Sequence, residues 1–178
     1  NAGLSGIPFW GWDIAGFSGE IPSAELYLRA AAMAAFCPIM QYHSEFNGHR
    51  LPLRDRTPWN IAERTGHPEV LDIYRHYVKT RLRLLPYIIA EARHCAGTGE
   101  PLMRPLFLDW PADPQVWQVA DQYCFGRALM IAPVFEPGIA ERHLYLPEGQ
   151  WEDFWTGGKF NGPQWITVPA PFERIPIF

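Results

Sequence analysis

Apolar and polar positions change their period three times along the chain. The run GIPFWGW, within residues 5 to 17, reads as a short apolar strand that passes into a glycine-rich loop carrying Asp13. Ser23 follows as a helix N-cap, with Glu25 in the first turn where the helix dipole favours a negative charge. AELYLRAAAMAAF is then a small-residue helix to about Phe36, stopped by Pro38. PIMQYHS, residues 38 to 44, is a second short strand that releases His43 into a polar loop running from Ser44 to about His67. A connection longer than about 12 to 15 residues is usually functional or disordered, and Phe46 and Trp59 argue for order here.

Helical spacing returns from Glu69 to Ala96, carried by Val70, Ile73, Tyr77, Leu84 and Ile88 among others. Pro86 predicts a kink near Leu82 to Pro86, and Gly97 and Gly99 predict the end. Beyond Glu100 the pattern shortens to β-type runs: LMRPLFLDW, ALMIAPVF, ERHLYLP, GQWEDFWTG, QWITVPA and RIPIF. Turn residues at Pro111 to Pro114, Pro137-Gly138, Pro147 to Gly149 and Gly157-Gly158 separate them, which suits an antiparallel sandwich. The expected fold is therefore α/β followed by all-β, with a boundary near residue 98.

Strand, helix, strand, loop, helix is the order in which ligand-contacting groups gather beyond the strand C-termini, and Asp13 and His43 both fall there. Asp13 stands among Phe9, Trp10, Trp12 and Phe17 and needs a partner, because an unpaired buried carboxylate is costly. Taken alone, it reads first as a structural acid paired with a buried Arg or with backbone amides, and the structural alternative for His43 is a satisfied histidine under a loop. Trp10 and Trp12 straddle Gly11 and point to one side, where they fill the core or Trp12 reaches a ligand. The Trp-rich GQWEDFWTG reads first as a hairpin whose aromatics pack the sandwich, and Arg54, Asp55 and Arg56 as a solvated loop cluster.

Composition narrows the classes. A net charge of −4 lacks the basic footprint of nucleic-acid binding. No apolar run reaches the ~20 residues of a membrane span, and no basic-then-apolar signal opens the sequence. Cys37, Cys95 and Cys124 are widely spaced among apolar neighbours and read as reduced core cysteines. The spacing of His43 and His49 fits no metal motif, so no metal or other cofactor is expected. An aromatic share of 15% suits stacking on sugar rings as well as core filling.

Five segments, PFWGWDIAGFSG, ELYLRAAAMAAFCPIMQYH, LRLLPYI, GEPLMRPLF and ALMIAPV, occur in an order that resembles the C-terminal stretch of glycoside hydrolase family 31, the α-glucosidase and α-xylosidase family. That resemblance implies that residues 1–98 are the C-terminal βα units of a (β/α)8 TIM barrel. Residues 99–178 would then begin the β-sandwich domain that follows it. It implies a fragment of a retaining, exo-acting α-glycosidase that hydrolyses α-glucosides at the non-reducing end. The two catalytic carboxylates would lie upstream, so no catalytic residue is assigned in this chain. Asp13, Phe17 and His43 match family positions that hold the non-reducing sugar, and Trp12 is added to them as a substrate-binding candidate. The sequence departs from the pattern at Ala15, where Gly or Cys is usual, at Ala30, at Gln41-Tyr42, where an Arg is frequent, and at Thr57. An α-xylosidase, a sulfoquinovosidase, a transglycosidase, a lyase or a non-catalytic carbohydrate-binding subunit stays open. The implied partner is an α-glucoside or oligosaccharide, with no nucleic acid and no membrane; a homo-oligomer stays open, and the expected location is cytoplasmic.

Overall fold

The structure, a computed structural model, describes residues 2–45 and 53–178. Phe46 and His49, which bear on loop order and on metal spacing, lie outside the described residues.

Among the described residues, the first half holds three α-helices after a short 3-10 turn at Gly3–Ser5. α1 spans Ala24–Ala34, and the Ser23 side chain accepts the Leu26 N–H, as its N-cap position predicts. Its alanines leave little bulk, so the helix backbone approaches its neighbours closely while Tyr27 and Leu28 anchor the core. α2, Pro58–Thr65, falls inside what the sequence suggested was loop. Its signals were present: Thr57 caps the Asn60 N–H, Pro58 stands in the first turn and Gly66 closes it with a φ of +71°. α3, Glu69–Thr98, passes uninterrupted through Pro86, includes Gly97 and ends at Gly99, whose N–H donates to the Cys95 carbonyl at 2.9 Å.

The two expected barrel strands are reduced to one parallel bridge, Asp13 with Gln41. Ile39 N–H donates to the Trp10 carbonyl and Ile14 N–H to the Gln41 carbonyl, each at 3.1 Å. The segments run side by side, but so few bonds are too short a ladder to count as strands. Gly11 permits the approach: a Cβ there would sit 2.6 Å from the Ile39 carbonyl oxygen.

The second half is antiparallel throughout. β1 (Met103–Arg104), β2 (Tyr123–Phe125) and β3 (Leu129–Ile131) form a sheet in that order. The C-terminal segment joins it through the Ile131–Ile177 bridge and the mutual bonds of Met130 and Phe178. β4 (Glu141–Glu152) and β5 (Lys159–Pro169) make a long ribbon. ERHLYLP and the start of GQWEDFWTG are thus one strand, because Pro147 to Gly149 absorb a bulge where a turn was expected. LMRPLFLDW shrinks to β1 and a 3-10 turn at Leu106–Leu108, since Pro105 offers no N–H to a ladder. Trp110 and Trp151 pack 5.7 Å apart and Trp155 lies on His76, so these aromatics fill the sandwich and its junction with α3.

One hydrophobic core crosses residue 98: Tyr77 and Ile88 of α3 share it with Met103, Phe125, Ile131 and Ile177. A second, smaller core lies within the β-half, around Leu106, Met130, Leu144 and Phe178. Arg29 clasps the halves, donating from Nη1 to the Ala170 carbonyl and from Nη2 to the Ile139 carbonyl, each at 2.7 Å.

Candidate functional site

Asp13 finds its partner across the parallel bridge, where Gln41 Nε2–H donates to Oδ1 at 2.9 Å. The partner is a neutral amide that engages one oxygen, and among the described residues no hydrogen bond to the second is seen. After Asp13 the chain turns tightly. Gly16 N–H donates to the Asp13 carbonyl at 2.8 Å, through left-handed backbone at Ala15 (φ +57°) and Gly16 (φ +84°). Ala15, which departs from the family pattern, therefore occupies a conformation that costs a Cβ-bearing residue roughly 1–2 kcal/mol.

The turn carries Phe17 to His43. Their rings lie 5.8 Å apart at 38°, and Glu45 N–H donates to the Phe17 carbonyl at 2.8 Å. Phe17 is 49% exposed and His43 is also exposed, so a flat apolar face and an imidazole with two ring nitrogens present themselves together. Phe17 and His43 thus meet as a ring pair, and Asp13 lies four residues before Phe17, bridged to Gln41 two residues before His43. Trp12 does not join them: it packs against the core and lines a separate cavity of about 360 Å³ with Arg29, Met33 and Pro133 to Pro137.

Beneath the loop lies a residue that the sequence misrepresents. Arg56, expected in solvent, is 1% exposed. Its guanidinium donates to the carbonyls of Ser18 (2.5 Å), Glu20 (2.8 Å), Arg54 (2.6 Å) and, more weakly, Gly19 (3.4 Å). The neighbours are not free either. Arg54 pairs with Glu20, and the Asp55 carboxylate accepts the Thr57 N–H and hydroxyl. Tyr27, whose phenol burial holds well above its ordinary pKa, donates to the Arg56 carbonyl at 2.7 Å. Three successive polar residues look solvated in sequence because nothing there reveals the bare carbonyls of a loop nearly forty residues away.

A carboxylate held at one oxygen, an imidazole and an aromatic face are group types that suit the holding of vicinal hydroxyls and the covering of the C–H side of a sugar ring. Among the described residues, no cluster of three or more His, Cys, Asp or Glu is placed to hold a metal ion.

Residues 1–91 match the TIM-barrel domain of glycosyl hydrolases family 31, and residues 99–178 match that family's C-terminal domain. The chain belongs to glycosyl hydrolase family 31. It is 51% identical over its whole length to the 1,3-alpha-isomaltosidase of Kribbella flavida, covering 24% of that protein. To the isomaltosyltransferase of Sporosarcina globispora it is 45% identical, covering 16%. Among solved structures, the cycloalternan-degrading enzyme from Trueperella pyogenes in complex with cycloalternan superposes with a TM-score of 0.96 at 53% identity, over 99% of this chain and 24% of that one. The chain thus spans about a quarter or less of the length of these family 31 relatives. The family accounts for the layout: C-terminal barrel units first, an antiparallel domain after them.

Proposed function

We propose that this chain supplies the sugar-holding wall of a retaining α-glycosidase whose substrates are α-glucosyl oligosaccharides built from isomaltosyl units. The observation that carries this reading is the 51% identity, over the entire chain, to a 1,3-alpha-isomaltosidase. The Phe17–His43 ring pair and the Asp13–Gln41 bond, formed by the same two segments, support it. Asp13 accepts from sugar hydroxyls, His43 donates to one, and Phe17 covers the ring's apolar face. The two carboxyls of a retaining mechanism stand about 5 to 5.5 Å apart across the scissile bond; on this reading they come from upstream barrel strands, and Asp13 is neither of them.

The full-length protein, given α-1,3-linked isomaltosyl oligosaccharides, is expected to release isomaltose with retained anomeric configuration, followed by NMR. Release of glucose or xylose alone from a panel of α-glucosides and α-xylosides would overturn the substrate class. Transfer is the second reading, favoured by the 45% identity to an isomaltosyltransferase. It predicts longer isomaltosylated products that grow with acceptor concentration, where hydrolysis gives none.

A further inference from the structure

From the Arg56 geometry we infer that Arg56 is a positioning residue for the sugar site, setting the distance and tilt between Phe17 and His43. The inference rests on the proposed sugar-holding role of those two side chains. Three separate sets of bonds converge on this one residue. Its guanidinium draws together the carbonyls of Ser18, Gly19 and Glu20, the segment immediately after Phe17. Its backbone N–H donates to Ser44 Oγ at 2.6 Å, fixing the residue immediately after His43. Its carbonyl is held by Tyr27 of α1, which is fully buried. One buried cation thus ties the ends of two exposed loops to a rigid helix, and each loop carries one ring of the Phe17–His43 pair.

The chemistry favours arginine in this position. A guanidinium offers five N–H donors in a fixed plane, whereas an ammonium offers three from a single point. Through the Arg54 carbonyl the arginine also grips its own loop, so the two loops are joined edge to edge. Lysine keeps the charge but cannot span the carbonyls of residues 18, 20 and 54 with the same planar fork. Phe17 and His43 are themselves exposed, whereas the arginine that ties their two loops is buried. Their geometry is therefore set from below.

The test uses full-length protein labelled with 13Cε1-histidine. The His43 resonance is identified by its loss in His43→Gln, and its displacement in Phe17→Leu measures the ring-current effect of the neighbouring phenyl. Arg56→Gln is expected to displace the His43 resonance in the same direction as Phe17→Leu, and Arg56→Lys to displace it part of the way. An unmoved His43 resonance overturns the inference. If Arg56→Gln does not fold, Arg56→Lys alone decides in the same two ways. A kinetic cycle supplies the second measurement. Arg56→Lys is expected to lower kcat/KM on α-glucosyl oligosaccharide at least tenfold in the otherwise native protein and less than threefold in the Phe17→Leu background. Full additivity would mean that Arg56 acts elsewhere. A native protein that cleaves no α-glucoside would sink the proposed function, and the resonance measurement would still decide the role of Arg56.

Discussion

Glu91 and Arg127 join the long helix to the antiparallel half through a two-pronged ion pair. Arg127 Nε–H donates to Oε2 at 3.0 Å and Nη2–H to Oε1 at 2.9 Å, while the Arg127 backbone N–H reaches the same Oε2 at 3.0 Å. Glu91 is 6% exposed and projects from the middle of a helical face otherwise built of Ile88, Cys95 and their neighbours. A carboxylate in that setting persists because it is paired and hydrogen-bonded at both oxygens.

The pair predicts an acid-sensitive junction. The bonds from Arg127 hold the Glu91 carboxyl below its ordinary value of 4.5. A group with a lowered folded-state pKa contributes stability that is complete above its unfolded value and is lost as pH falls through the folded one. Glu91→Gln is therefore expected to lower the melting temperature at pH 7 by ~2–4 °C. It should also flatten the loss of stability below pH ~4.5 that the native protein shows. Equal slopes for the two proteins in that acid range would show that Glu91 does not control it.

Gly126, beside this pair, has no room for a side chain. A Cβ there would meet the Tyr87 hydroxyl at 2.3 Å and Glu91 Cγ at 2.6 Å, and its φ of +63° already disfavours one. Tyr87 cannot yield, because its hydroxyl donates to the Phe125 carbonyl at 2.6 Å and accepts the Ala128 N–H at 3.1 Å. Gly126→Ala is expected to destabilise by ~2–4 kcal/mol in denaturant titration, from overpacking and strain together. A change under about half a kcal/mol would contradict this packing.

Asp13→Ala in the full-length protein is expected to lower turnover by at least ~100-fold, since hydroxyl contacts that strengthen in the transition state are worth several kcal/mol. Turnover within threefold of native would remove Asp13 from the sugar site. Gln41→Ala should cost less, because it removes only the bond that aims the carboxylate.

Ala15→Gly tests the turn between Asp13 and Phe17. Glycine relieves the left-handed strain but frees the unfolded chain, so stability should rise by no more than ~1 kcal/mol. Ala15→Val, β-branched at φ +57°, should lower both stability and kcat/KM. Unchanged kinetics for Ala15→Val would uncouple this turn from the site.

The 178-residue chain expressed alone should associate and should not hydrolyse aryl α-glycosides. Leu82, Ile89, Leu4 and Phe135 expose broad apolar surface on more than one element. Monodisperse monomer by light scattering, or turnover comparable to the full-length protein, would contradict this.

Much of the fold was legible because local rules decided it. Ser23 announced α1, helical spacing announced α3, and short runs between turn residues announced an antiparallel half. What escaped depended on distant partners. Two segments that look like strands became one bridge, since strand character needs neighbours as well as sequence. Pro147 to Gly149 resemble a turn, yet their strand continues past a bulge because β5 pairs on both sides of it. Within the candidate site, Asp13, Phe17 and His43 were legible as chemistry-bearing side chains on matched motifs, and their role there is a proposal. Gln41 and Arg56 were not, because an amide that aims a carboxylate and an arginine that collects carbonyls are identified only by what lies across from them.

The three buried cysteines give the molecule a built-in clock. Cys37 and Cys95 sit in the core shared by the two halves, and Cys124 in the smaller core of the β-half. Burial pushes the Cys37 thiol up to about 12 and raises Cys124 above its ordinary range too. Neither therefore reacts with an alkylating reagent until its own core opens. Timed alkylation followed by peptide mass mapping would then record which core breathes first, with no residue changed.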